Sequence, residues 1–168
     1  PCVYLKAQKN STELSGARNA NIRDGLSITK FLYWLKNEIV IDKTDEIKAA
    51  DYLYNLRKNN NLFHSLSFET ISAIDEHAAL PHYTVTHESN LSFRDNSIYL
   101  VDSGAQYLDG TTDITRTIIL GEPTKEQKDR FTRVLKGHIA IALATFEANT
   151  KGSTLDPLAR KSLQDIGC

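Results

Sequence analysis

The feature that most constrains the fold is the stretch of residues 98–117, which has the pattern of two β-strands joined by a short polar loop. Each half is rich in β-branched and aromatic residues, and the segment between them contains glycine and polar residues typical of a hairpin loop. Asp102 and Asp113 fall on opposite halves. The stretch therefore predicts an antiparallel hairpin with one carboxylate on each arm.

The position of the hairpin turn decides whether these two acids face each other. A loop centred on residues 107–108 would place Asp102 directly opposite Asp113. Residues 109–110 form an Asp-Gly dipeptide, which is a competing turn signal. A turn there would move the two carboxylates about 13 Å apart, at roughly 3.3 Å per residue, too far to share an ion. We expect the earlier centre, with residues 109–110 as a bulge or the start of a strand.

Two acids that converge in this way favour a bound cation. Ionised carboxylates about 4 Å apart repel by roughly 4 kcal/mol at an effective dielectric near 20, so either one is protonated or a cation lies between them. Strand alternation puts Thr115 on the same face as Asp113, and Arg116 on the other face. The sequence therefore predicts a divalent metal site at Asp102 and Asp113, supported by Thr115.

Helices are predicted on both sides of the hairpin from their capping signals. They span residues 11–38, capped by Asn10 with Glu13; 45–58, capped by Thr44; 124–149, opened by Thr124 with Gln127; and 156–166, opened by Asp156-Pro157. Further strands are predicted at residues 67–74 and 83–86. Helices that flank largely antiparallel strands indicate the α+β class.

Composition and charge exclude several classes of protein. The 168 residues are 40% hydrophobic and 24% charged, enough to form the core of one domain or most of one. Lys plus Arg number 20 against 21 for Asp plus Glu, so we expect no nucleic-acid partner. No apolar run approaches a membrane span, so we expect no membrane partner. Cys2 and Cys168 make no disulfide framework, which favours a cytoplasmic location.

The histidines, taken by themselves, favour ordinary structural roles. His87 and Glu88 begin like a zinc-protease motif, but position 91 is Leu instead of the required second His. His138 lies in an apolar helical stretch and is expected in a core or an interface. His77 lies in a predicted loop, where we expect it to be exposed. His82 lies at a predicted strand end, where a hydrogen bond to a carbonyl is the ordinary interpretation.

The hairpin also carries a resemblance to a known family. Residues 102–117, DSGAQYLDGTTDITRT, strongly resemble the metal-binding hairpin of Xaa-Pro aminopeptidases (aminopeptidase P) in peptidase family M24. Further similar segments are ELSGAR at 13–18, IRDG at 22–25, SFETIS at 67–72, ALPHY at 79–83 and VLKGHIA at 134–140. The resemblance covers nearly the whole chain. It implies the pita-bread fold, in which helices flank a curved antiparallel sheet.

The resemblance implies a role for each matching residue. Asp102 would bind one metal ion, and Asp113 would bridge two. His82 would contact the substrate near the scissile peptide, as a catalytic group that stabilises developing charge or orients the leaving portion. Residues 75–78 are Asp-Glu-His-Ala where the family usually has a glycine-rich segment, so we expect a different loop near the substrate.

The family completes its five-ligand metal site with a histidine and two glutamates that would follow Cys168. Two carboxylates offer at most four oxygens, fewer than such an ion usually requires. We therefore interpret residues 1–168 as the N-terminal portion of an M24 catalytic domain. By itself this portion is expected to be inactive and to bind metal weakly.

The reaction implied by the resemblance is hydrolysis of the bond between an N-terminal residue and a following proline. It would use two divalent ions, with Mn²⁺ expected first and Co²⁺ or Zn²⁺ as alternatives, in a homodimer that acts on peptides with proline in second position. Two other interpretations remain: a prolidase, which cleaves dipeptides only, and a non-catalytic module that binds peptides or partner proteins. The retention of both Asp102 and Asp113 favours an enzyme over the module.

Overall fold

The computed structural model describes residues 2–39 and 41–168. They form two compact units, one up to Glu122 and one from Pro123 onward. The helices of the first unit are α1 (Cys2–Ala7), α2 (Ser11–Asn37) and α3 (Glu46–Lys58), with short 3₁₀ helices at Ile41–Lys43 and Asp75–Ala79. The second unit contains α4 (Lys125–Leu143) and α5 (Gly152–Gln164).

The capping boxes predicted for two helices are confirmed. Asn10 Oδ1 accepts from the Glu13 N–H at 2.9 Å, and the Glu13 carboxylate accepts from the Asn10 N–H at 2.8 Å. Thr124 and Gln127 form the same reciprocal pair at the start of α4. Because each box satisfies two free backbone donors locally, it fixes the first residue of a helix without help from the rest of the chain.

Other predicted helix ends were wrong by a few residues. Asp45, and not Thr44, caps α3, because its side chain accepts from the Lys48 N–H at 2.8 Å. Helix α4 ends at Leu143, before the predicted residue 149. Helix α5 begins at Gly152, before the predicted start at Asp156-Pro157. Pro157 is the sixth residue of that helix, past its first turn, so the carbonyl of Ser153 has no N–H donor from position 157.

Six strands form two antiparallel sheets of three strands each within the described residues. They are β1 (Phe63–Leu66), β2 (Ile71–Ile74), β3 (Ser97–Ser103), β4 (Ala105–Tyr107), β5 (Gly110–Thr111) and β6 (Ile114–Leu120). One sheet has the order β1-β4-β5 and the other β2-β3-β6. The predicted hairpin is confirmed, and each of its arms passes from one sheet into the other.

Two strand predictions need correction. The strand predicted at residues 67–74 exists only as β2, and the separate strand β1 lies before it. Residues 83–86 form no strand. The last of these residues, Thr86, is bound by a side chain instead: its N–H donates to Ser89 Oγ at 2.9 Å. The hydroxyl of Ser89 thus replaces the ladder partner that a strand would need.

The core lies between α2, α3 and one face of the β2-β3-β6 sheet. The buried side chains come from all three layers: Ile28, Phe31, Leu35, Ala49, Leu53, Ile74, Phe93, Tyr99, Val101 and Leu120. Along β3, burial alternates from residue to residue, so Tyr99 and Val101 face the helices and Asp102 faces away from them. This arrangement confirms the α+β class and leaves the Asp102 face of the sheet free of core residues.

The turn of the central hairpin lies at Leu108-Asp109, which corrects the predicted centre at residues 107–108. Tyr107 pairs with Gly110 across this turn. Asp102 is opposite Thr115, and not opposite Asp113 as expected. The competing turn at residues 109–110 is not formed either.

Contacts with helix α2 explain this choice of turn. The helix passes so close that a Cβ placed on Gly16 would lie 2.1 Å from the backbone oxygen of Asp109. The guanidinium of Arg23 donates two hydrogen bonds, both 3.0 Å long, to the Asp109 carboxylate. This hydrogen bonding, against the opposing effect of partial burial, lowers the pKa of Asp109. Asp109 is thereby held in the turn by a helix far away in sequence.

A second anchor of the hairpin is the fully buried carboxylate of Asp24. Its Oδ1 accepts from Arg57 Nε at 2.7 Å and from the Tyr107 hydroxyl at 2.9 Å. Its Oδ2 accepts from Arg57 Nη2 and from Thr112 Oγ1, both at 2.9 Å. Burial, and then the negative charge of Asp24, raise the pKa of Tyr107, so its hydroxyl stays a donor. Four hydrogen bonds thus join α2, α3 and both arms of the hairpin.

The hairpin passes between the two sheets at Gly104 and Thr112. Thr112 Oγ1 accepts from the Ala105 N–H at 2.9 Å, while the Thr112 carbonyl accepts from Ser67 Oγ at 2.9 Å. A Cβ on Gly104 would lie 2.0 Å from the Thr112 backbone oxygen, so the crossing requires glycine at this position. The junction places Asp113 immediately before β6.

We expect Asp24→Ala to lower the free energy of unfolding by about 3–5 kcal/mol, because it leaves the charge of Arg57 buried without a partner. Chemical denaturation measures the loss. Asp51→Ala, at an exposed acid on α3, is the control and should change the value by less than about 0.5 kcal/mol. Equal small effects of the two variants would contradict the anchoring role of Asp24.

We expect Thr112→Val to cost about 1–3 kcal/mol, because the buried Ala105 N–H loses its acceptor and Asp24 loses a donor. Thr112→Ser keeps the hydroxyl and should lose only the contribution of one methyl group, about 0.8 kcal/mol. Parallel denaturation curves compare the two variants. A valine variant as stable as the wild type would show that the hydroxyl does not secure the junction.

Candidate functional site

Asp102 lies on β3, half-buried, on the sheet face that the helices do not cover. Thr115 lies opposite it on β6, and Thr115 Oγ1 donates to Asp102 Oδ1 at 2.8 Å. A hydroxyl that donates to one carboxylate oxygen restricts the rotation of the carboxylate. The contact is compatible with the expected supporting role of Thr115 toward a metal ligand, which stays a prediction.

Asp113 is exposed and precedes the first residue of β6. Strand alternation continued to this position puts it on the face of Thr115, which lies directly opposite Asp102. Asp113 is therefore the diagonal neighbour of Asp102, and the Cα atoms of diagonal neighbours are about 7–8 Å apart in antiparallel pairs. The two acids thus share a face, one diagonal step from the direct opposition that was predicted.

The donor chemistry of this pair fits a hard or borderline divalent ion. Carboxylate oxygens are ligands that Mn²⁺ and related ions accept. Among residues 2–39 and 41–168, no group of three or more His, Cys, Asp or Glu side chains is placed to hold a metal ion. A metal site at Asp102 and Asp113 would therefore need further donors, and the role of these two acids as ligands stays a prediction.

His82 is exposed and belongs to a tight turn, where the Tyr83 N–H donates to the Leu80 carbonyl at 3.2 Å. It does not lie at a strand end as predicted, because no strand follows it. Its backbone φ is +56°, in the left-handed region that only a few per cent of non-glycine residues adopt. Within the described parts of the chain, no hydrogen bond or ion pair joins His82 to Asp102 or Asp113.

Other histidines differ from their predictions. His77 was expected to be exposed, but only 17% of its side chain is accessible, and its Nδ1 lies 2.9 Å from a carboxylate oxygen of Glu46. His138 was expected in a core or an interface, yet it is exposed in its unit. His87 is exposed.

Neither of the two buried acids, Asp24 and Glu46, was predicted as a site residue, and both are completely inaccessible to solvent. Glu46 looked like an ordinary acid in the first turn of a helix. Asp24 lies in the segment IRDG that carries part of the family resemblance, and this was the available signal.

No helix of the described chain has the length and apolarity needed to cross a membrane.

Known proteins resemble this chain over nearly its full length. The Xaa-Pro aminopeptidase ApepP of Drosophila melanogaster is 45% identical over 168 residues, which cover 99% of this chain and 27% of that protein. The chain thus spans about a quarter of the length of the curated relatives that it matches.

Solved structures share the fold. An X-prolyl aminopeptidase from Caenorhabditis elegans, described as a cytosolic enzyme with a di-nuclear active site, matches 97% of this chain and 27% of its own chain, with a TM-score of 0.87 and 43% identity. A prolidase from Thermococcus sibiricus matches 95% of this chain and 41% of its own, with a TM-score of 0.77. At 24% identity the latter shows the fold alone. The expected pita-bread fold is confirmed.

The sequence profile of metallopeptidase family M24 matches residues 15–168. Because this match extends over most of the chain, the chain belongs to metallopeptidase family M24.

Proposed function

We propose that the full-length protein is a dinuclear metalloaminopeptidase that removes an N-terminal residue preceding proline. The observation that carries this proposal is the 45% identity to an Xaa-Pro aminopeptidase over 99% of the chain, with Asp102 and Asp113 on adjacent hairpin arms. In this proposal, residues 1–168 are the N-terminal portion of the catalytic domain, and the remaining metal ligands lie outside them.

Asp102 and Asp113 are the proposed ligands, the first to one ion and the second to both. Thr115 occupies Oδ1 of Asp102, so it aims the remaining lone pairs of that carboxylate at the ion. When bound, the two metal ions supply a water of lowered pKa and polarise the scissile carbonyl. Carboxylate ligands favour Mn²⁺, with Co²⁺ or Zn²⁺ as alternatives.

His82 is the proposed substrate-contacting residue, which stabilises charge that develops at the scissile peptide. Two observations support this role: its imidazole is exposed, and its backbone is held in an uncommon conformation. Such conformations persist when the surrounding contacts enforce them, and they cluster at functional sites. The proposed substrates are peptides with proline in second position, and the proposed form is a cytoplasmic homodimer, by analogy with the cytosolic worm enzyme for location.

We expect Asp113→Ala in the full-length protein to abolish both bound metal and hydrolysis of Xaa-Pro peptides. The reason is that Asp102 without Asp113 cannot hold two metal ions. Metal content by mass spectrometry and release of the N-terminal residue are the measurements. Asp95→Ala, at an exposed acid before β3, is the control and should keep both. Cleavage of dipeptides alone would indicate a prolidase, and a metal-free, inactive wild type would indicate a binding module.

We expect His82→Asn to lower kcat about 100-fold without loss of metal, because the imidazole donor is replaced by a shorter amide that does not reach the developing charge. Asparagine tolerates positive φ, so the turn keeps its backbone. Steady-state kinetics on an Xaa-Pro peptide give kcat and KM. The control His87→Asn, at an exposed histidine, should match the wild type. A kcat within about twofold of wild type for His82→Asn would remove His82 from the mechanism.

A further inference from the structure

We propose that the buried carboxylate of Glu46 is a positioning group that holds the segment carrying His82. The inference rests on the proposed function of His82, and it adds a residue that contacts neither the metal nor the substrate. It stands on four hydrogen bonds to Glu46, on the stacking of two rings in the segment, and on the backbone conformation of His82.

The two oxygens of Glu46 bind opposite ends of the segment. Oε1 accepts from the Ile74 N–H and from His77 Nδ1, both at 2.9 Å. Oε2 accepts from the Tyr83 hydroxyl and from the Leu91 N–H, both at 3.1 Å. His82 lies between these two sets of contacts. One carboxylate on helix α3 thus closes the segment from residue 74 to residue 91 into a loop with a fixed base.

The contacts on either side of His82 leave its backbone little freedom. The rings of His77 and Tyr83 stack with centroids 4.3 Å apart, so the residue that follows His82 packs on one that precedes it. The Tyr83 N–H closes the turn onto Leu80 at 3.2 Å. Because Tyr83 is fixed at its ring, its hydroxyl and its backbone, the positive φ of the adjacent His82 is enforced by neighbours and not by its own preference.

The protonation of the donors is consistent with a carboxylate clamp. His77 Nδ1 carries a proton, since the carboxylate it faces is an acceptor. Burial, opposed by a hydrogen bond with Ser89 and reinforced by the negative charge of Glu46, raises the pKa of Tyr83. The phenol therefore stays protonated, and its hydroxyl donates to Glu46 Oε2 at 3.1 Å and lies within donating distance of Ser89 Oγ, at 3.0 Å. Bonds to a charged acceptor are about twice as strong as neutral ones.

Glu46 is itself rigid. Its side chain is fully buried, its N–H donates to the Leu91 carbonyl at 3.2 Å, and its carbonyl accepts from Ser72 Oγ at 2.7 Å. Ser72 lies on β2 of the central sheet. The clamp is therefore fixed to both helix α3 and the central sheet.

The charged groups beside the segment supply a separate anchor. Asp75 Oδ1 accepts from the Ile98 N–H at 2.9 Å, and Arg94 bridges Asp75 and Glu76 at the surface. These contacts hold the start of the segment at the first residues of β3. They do not reach Tyr83, which is held by Glu46 and Ser89 at its hydroxyl, by the His77 ring, and by the Leu80 carbonyl at its backbone.

The test compares Tyr83→Phe and Glu46→Gln with wild type in the full-length protein, with Tyr99→Phe as the matched control. Tyr99→Phe also deletes one buried hydroxyl from this region, but it leaves the side-chain bonds of Glu46 intact. We expect kcat on an Xaa-Pro peptide to fall about tenfold or more in both test variants, with KM within about twofold, because small misplacements of a reacting group are costly. Tyr99→Phe should keep the wild-type kcat.

A double-variant cycle separates positioning from general destabilisation. If Glu46 acts through His82, adding Tyr83→Phe to His82→Asn should lower kcat by less than about twofold further. Full additivity of the two effects would overturn the inference, and so would an equal loss in Tyr99→Phe. Tyr83→Phe alone decides the outcome if Glu46→Gln fails to fold.

Hydrogen exchange of residues 75–91 gives a readout that is independent of catalysis. We expect faster amide exchange there in Tyr83→Phe than in Tyr99→Phe, and unchanged exchange would overturn the clamp. An inactive wild type would refute the proposed function while this measurement still tests the clamp. An active wild type with test variants within about twofold of it in kcat would refute the inference and leave the function standing.

Discussion

The interaction on which the rest of the structure depends is the buried ion pair between Asp24 and Arg57. Removing two charges from water costs several kcal/mol for each ion, and the cost is offset only when the remaining bonding positions are filled. Here the Tyr107 and Thr112 hydroxyls complete the shell of Asp24, while Arg57 Nη1 is buried without a partner. Because both belong to the central hairpin, the requirement to satisfy one buried acid fixes where that hairpin lies against helices α2 and α3.

The same device occurs at Glu46, with a different segment of chain. Each acid lies on a helix of the first unit, is completely buried, and accepts hydrogen bonds from four donor atoms. Asp24 gathers its donors from the hairpin that bears Asp102 and Asp113, and Glu46 gathers them from the segment that bears His82. The proposed functional groups themselves are half-buried or exposed, where they remain accessible to ions and substrate. The buried acids Asp24 and Glu46 thus hold the fold, and the proposed metal ligands are two other acids.

Local signals predicted the elements that depend on neighbouring residues. The capping boxes at Asn10 and Thr124 were correct because their partners lie three positions away. The hairpin was correct because its composition favours strands around a polar turn. The strand at residues 83–86 was wrong because its backbone preference is overridden by the bond from Ser89, and the turn at residues 107–108 was wrong because local propensity does not include the contacts of helix α2 with Asp109.

The sequence by itself determined the α+β layout, the hairpin with its two acids, and the resemblance to family M24. Each of these depends on residue types and on spacings of a few positions along the chain. Only the tertiary structure decided the register that makes Asp102 and Asp113 diagonal neighbours, and which acids are buried. The physical reason is distance along the chain. The bonds that fix the hairpin connect residues that are separated by 83 to 88 positions in the sequence. A pattern that extends over a few residues cannot predict which helix will pack against the hairpin.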